Sequence, residues 1–100
     1  MARITKEIAE KLLGAVPDDK AFYIHDKGHI KSMPELETVL GEMGDETFKY
    51  HSNESKNDFS VWVREVVGDE KLSRDLQKSR SREAAMKSVA ARVESLKMRL

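Results

Sequence analysis

The sequence predicts an α+β domain that is mostly helical, with a small β-hairpin packed on a bundle of about five helices. Three observations predict it. From Phe59 onward apolar residues fall at 59, 62, 63, 66 and 67, which is one face of an α-helix. Phe22 and Ile24 alternate with Tyr23 and His25 ahead of Asp26-Lys27-Gly28, the pattern of a half-buried strand entering a tight turn. Ser32-Met33-Pro34-Glu35 combines an N-cap serine, a proline in the first turn and a glutamate three residues on, a strong helix start. One hundred residues with 39% hydrophobic and 36% charged side chains suffice for one modest core, so residues 1–100 are read as a single domain. Within it, residues 1–19 form an N-terminal helix and loop, 20–78 the hairpin and helical core, and 79–100 a basic C-terminal helix.

Taken in order, Ile4, Ile8, Leu12, Leu13 and Val16 mark a first amphipathic helix. Gly14 weakens its end and Pro17 stops it. After the first strand, Gly28 is free to take positive φ, and His29-Ile30-Lys31 resumes as a second short strand. Such a ribbon is marginal alone, so one face must rest on helices. Leu36, Val39, Leu40 and Met43 then follow helical spacing. Gly41 sits inside that helix at roughly 1 kcal/mol relative to alanine, which marks close packing of a neighbour. Asp45-Glu46 opens a short helix through Phe48 and His51. Ser55 with Asp58, or Asn57, caps the central helix, and Gly68 ends it in the left-handed conformation. Asp69 caps the next helix, with Leu72 and Leu76 facing inward, and Ser79 or Ser81 caps the last, from about Arg82 to Met98.

Composition bounds function. Without cysteine there is no disulfide framework, thiolate metal site or cysteine nucleophile. The apolar runs are too short to span a membrane. The N-terminal residues lack the apolar core of a secretory signal, and Ala2 stands where N-myristoylation needs glycine; a cytoplasmic protein is expected. Net charge is zero but uneven. Residues 1–75 hold 11 basic against 16 acidic side chains, and residues 76–100 hold seven against two. This −5/+5 split means either a nucleic-acid-binding tail or a basic tail lying on an acidic body, in its own chain or a neighbour's.

Phe48 and His51, then Asn57, Asp58, Phe59 and Trp62, then Gly68, Asp69 and Leu72 set out Phe-x-x-His, Asn-Asp-Phe-x-x-Trp and Gly-Asp-x-x-Leu segments. In this order, over residues 20–97, the chain resembles a family of short archaeal and bacterial proteins whose activity is uncharacterised. The resemblance implies a single domain in an archaeal, cytoplasmic setting and brings no catalytic residues with it.

The residues themselves assign no catalytic, cofactor-binding or metal-ligating group. His25 and His29 flank the hairpin turn beside Asp26, but no third ligand follows from the spacing. His51 with Asp58 has the makings of a general base and its orienting carboxylate. The plainer reading is a structural core of Phe48, His51, Asp58, Phe59 and Trp62, with the imidazole tying a loop to a helix cap. Phosphate loops, nucleophile elbows and zinc-binding helices are missing. The helix pair joined at Gly68-Asp69 is no DNA reader, since Asp69 and Glu70 stand where base edges and phosphates would meet donors. Two partner readings remain. Met86, Val89, Val93, Leu96 and Leu100 step by 3, 4, 3, 4, a heptad line that packs on the Trp62 helix of its own chain or pairs with a partner, most simply a second copy. The expected function is therefore a non-catalytic protein–protein interaction or homo-oligomerisation module. The alternative is a nucleic-acid-associated protein binding phosphates through Lys78, Arg80, Arg82, Lys87, Arg92 and Arg99, although these are spread around the helix without aromatics for base stacking. Neither a membrane nor a small-molecule ligand is expected.

Overall fold

The computed structural model describes residues 3–100; Met1 and Ala2, and with them the myristoylation position, lie outside the described residues. The described residues form six α-helices and one antiparallel hairpin, as expected for a mostly helical α+β fold. α1 (Lys6–Leu13) opens on Thr5, whose hydroxyl accepts the Ile8 amide, a cap the spacing of apolar residues did not suggest. Its inward residues are Ala9 and Leu12, whereas Ile8 is exposed, so the buried stripe is rotated from the one expected. A 3₁₀ turn (Asp18–Lys20) follows. There Asp18 accepts the Lys31 ammonium at 2.8 Å; this hydrogen bond holds the Asp18 carboxyl below, and the Lys31 amine above, their ordinary ranges.

β1 (Phe22–Ile24) pairs with β2 (Gly28–Ile30) in the register Phe22↔Ile30, Tyr23↔His29, Ile24↔Gly28. Ile24 and Ile30 point to the core and Tyr23 and His29 to solvent. The turn needs left-handed backbone at two positions, Asp26 (φ 66°) and Gly28 (φ 89°), and aspartate tolerates that region better than most side chains.

α2 (Met33–Glu42) starts as expected: Ser32 Oγ accepts the Glu35 amide, and Glu35 reaches back to the Lys31 amide. α3 (Asp45–His51) follows directly. α4 (Asp58–Trp62) is capped by Asn57, which accepts the Ser60 amide at 3.0 Å; Ser55 stays in the preceding loop and Asp58 turns to His51 instead. The helix widens into a π-helical turn over Val63–Val67, with the Gly68 amide bonding the Val63 carbonyl, before Gly68 ends it at φ 88°. α5 (Glu70–Lys78) is capped by Asp69 and α6 (Arg82–Lys97) by Ser81.

The packing order differs from the expected one in one respect. α6 rests chiefly on α2, with further contact to α5 and α1, while the Trp62 helix packs on α5. Ala85, Val89, Val93 and Leu96 are buried in that contact. Gly41 lies in it too: a Cβ there would stand 3.4 Å from Met86 Sδ, the close neighbour its place in α2 implied. Around Trp62 a second, aromatic part of the core forms. Phe22 sits 5.3–5.7 Å, centroid to centroid, from His51, Phe59 and Trp62, and Phe48 stacks on Phe59.

Candidate functional site

Trp62 is only 6% exposed, and its indole N–H donates to the Lys20 carbonyl at 2.9 Å. The residue is thus fully occupied in tying the 3₁₀ turn to α4. His51 is equally committed. Its Nε2 accepts the His25 amide at 3.0 Å. An amide can only donate, so Nε2 carries the lone pair and the proton sits on Nδ1, directed at Asp58 Oδ2 at 3.0 Å. Asp58 also holds Lys56 Nζ at 3.0 Å. A general base needs a free lone pair facing substrate; here the hairpin backbone takes it. The ring is 3% exposed and wedged between Phe22 and Phe59. Both features mark a pin joining hairpin, α3 and α4.

On the outer side of that pin His25 stacks on Tyr50 at 4.3 Å, and Lys56 lies over the Tyr50 ring. His29 lies beside Tyr23 on the solvent face of the hairpin. His25 and His29 do not converge, and among the described residues no cluster of three or more histidine or carboxylate groups could hold a metal ion.

Six of the seven basic residues of 76–100, those expected to meet phosphates, divide into three sets. Arg92 is turned inward, forming a two-pronged pair with Asp69 (Nε to Oδ2 2.7 Å, Nη2 to Oδ1 3.1 Å) whose side chains are 10% and 1% exposed. Arg82 donates to the Leu40 carbonyl at the end of α2 and lies 3.6 Å from Asp45. These two charges join the basic tail to the acidic body of the same chain, and Arg92 is unavailable to phosphates. Lys87 and Arg99 are exposed but separate: Lys87 borders a small hollow with Lys71, Asp75 and Arg92, and Arg99 lies beyond the far end of α6. Lys78 and Arg80 are exposed at the α5–α6 turn. The heptad line is likewise spent within the chain, since Val89, Val93 and Leu96 are buried and Met86 packs against them. Leu100 alone is exposed, so the line is not a free seam for a second copy.

Sequence reasoning did not foresee a cleft of about 730 Å³ between the loop after α3 and the α5–α6 turn. One wall is residues 52–57. It is held by a Ser52–Asn57 bridge, by Asn53 donating to the Lys49 carbonyl, and by the Ser55 amide donating to Asn53 Oδ1. The other wall is the turn at 77–82, where Ser79 donates to the Asp75 carbonyl. Asn57 spans the two, capping α4 with its oxygen and donating its amide to the Leu76 carbonyl at 3.1 Å. These hydrogen bonds brace both walls. Four cations border the cleft, Lys49, Lys56, Arg80 and Arg82, against Asp45 and Glu54. Lys56 and Arg82 have carboxylate partners, whereas Lys49 and Arg80 are exposed and, among the described residues, unpaired.

Among the described residues no helix is long and apolar enough to cross a membrane. Comparison of the chain with protein-family models, with curated protein sequences and with solved structures returns no match, so every role assigned to a residue rests on its own chemistry and placement.

Proposed function

We propose that this chain is a non-catalytic module that binds another protein. The observation that carries the reading is the commitment of His51. The best-placed imidazole–carboxylate pair in the chain spends both ring nitrogens on the fold, while the cleft between residues 52–57 and 77–82 is bordered by amides, hydroxyls and charges of both signs that suit recognition of a polar partner. Preorganised walls favour binding because little loop ordering remains to oppose it. Since the heptad line is buried, a different protein is favoured over a second copy docked along α6. The nucleic-acid reading keeps one supporting observation, the neighbouring exposed Lys78 and Arg80, and loses Arg92 from its phosphate contacts.

Affinity capture from the native lysate, with and without nuclease, tests the proposal. The expected result is a protein partner retained after nuclease and released when Lys49 and Arg80 are both changed to glutamate. Capture that vanishes with nuclease, and falls steeply with salt, would instead favour the nucleic-acid reading. Light scattering of a concentration-dependent dimer with no other partner would return the second copy to first place.

A further inference from the structure

We infer that the cleft between residues 52–57 and 77–82 receives a phosphorylated side chain on an extended segment of a partner protein. The inference rests on the binding-module reading and names its partner class. Lys49 and Arg80 supply two cations without carboxylate partners among the described residues, and even with Glu54 in the same lining the surplus charge is positive and favours an anionic group such as phosphate. An arginine presents a planar fork of donors to phosphate oxygens and a lysine a point charge, a common division of labour at phosphate sites. Ser52, Ser55 and Gln77 add neutral donors along the same walls. The first turn of α6, sixteen residues long and capped by Ser81, also opens here, leaving early amides without intrahelical acceptors.

Compactness favours a phosphopeptide over a nucleic acid. A nucleic-acid strand carries a charge at every nucleotide and asks for a basic track. Here no such track follows from the cleft: Lys78 adds one exposed charge beside Arg80, but Arg92 is closed onto Asp69, Lys87 borders a different hollow, and Arg99 lies beyond the other end of α6, about 25 Å away at 1.5 Å per residue. Of the two carboxylates in the lining, Asp45 faces Arg82 and Glu54 opposes any anion, so the cleft has room for one compact anionic group at most.

Backbone amide NMR on the whole chain provides the test, with inorganic phosphate, a degenerate phosphoserine peptide pool, the same pool unphosphorylated, and a single-stranded RNA oligomer as probes. Phosphate and the phosphopeptide pool are expected to shift the amides of Ser52–Asn57 and Ser79–Glu83. The unphosphorylated pool is expected to bind at least about tenfold more weakly. Lys49→Ala with Arg80→Ala, two exposed changes that leave the melting temperature in place, is expected to abolish the shifts. Equal binding of the two pools, shifts confined to another face, or unmoved cleft amides would overturn the inference. RNA binding at the cleft more tightly than the phosphopeptides would overturn it in favour of a nucleic acid. A chain that ignores every phosphate probe yet still captures a protein partner would sink this inference alone and leave the binding reading standing.

Discussion

Single residues settle most of what the fold says about chemistry. His51 was recognisable in the sequence as a candidate tie between a loop and a helix cap, because Asp58 stands at the start of the next helix. Its second bond, to the His25 amide 26 residues earlier, was not, since it requires the hairpin to fold back over α3. Replacing His51 with leucine removes two hydrogen bonds and leaves the His25 amide without its acceptor. The expected loss is about 2–4 kcal/mol, read by chemical denaturation together with loss of hydrogen-exchange protection at that amide. Retained protection would mean the ring is not the pin described. Asp69 and Arg92 are a sharper case. Asp69 was legible as an N-cap, but nothing in helical periodicity connects it to an arginine 23 residues later. Arg92→Met alone strands a buried carboxylate and should cost about 3–5 kcal/mol. Asp69→Asn added to it keeps a good N-cap and removes the stranded charge; the double variant is expected to recover most of the loss in a denaturant melt. Additive losses would deny the pairing.

At the scale of elements, helix starts were the most readable feature, because capping is local: Ser32, Asn57, Asp69 and Ser81 each accept an amide two or three residues into the helix they precede. Two properties escaped. The π-helical turn at Val63–Val67 leaves the 59, 62, 63, 66, 67 pattern intact, so periodicity cannot reveal it. The partner of α6 escaped too, because a 3, 4, 3, 4 line says that a helix is buried without saying against what. That partner is α2, and Gly41 sits in the contact. Its backbone is ordinary helix, and the nearest atom to an added Cβ is the sulfur of a flexible methionine. Gly41→Ala should therefore stabilise the chain by about 0.5–1 kcal/mol through helix propensity and reduced unfolded-state entropy. Thermal melts would show a rise of a few degrees; a fall would mean that Met86 cannot shift.

For the molecule as a whole, the split of charge between residues 1–75 and 76–100 is resolved in part inside the chain, through two of the seven basic residues of 76–100. Arg92 meets Asp69 and Arg82 meets Asp45, so the basic tail is part of the body and not an arm extended from it. Composition showed the asymmetry but could not choose between a tail seeking a partner and a tail already placed. The cleft was illegible for a related reason: its two walls are separated in sequence by α4 and α5, and Asn57 ties one to the end of α5 before the other. The same integration dictates what truncation would do. Val89, Val93 and Leu96 are each at most 3% exposed, and burial of each such side chain contributes about 1.5–3 kcal/mol. Together that is about 5–9 kcal/mol, comparable to the whole net stability of a domain this size, about 5–15 kcal/mol. A chain ending at Leu76 would also expose the apolar faces of α2 and α5 and leave Asp69 unpaired. It is expected to show no cooperative thermal transition by circular dichroism, and loss of binding after such a truncation would report unfolding, not the removal of a contact. A sharp melt in the truncated chain would mean instead that residues 77–100 are an appendage, and the search for their partner would have to resume outside the fold.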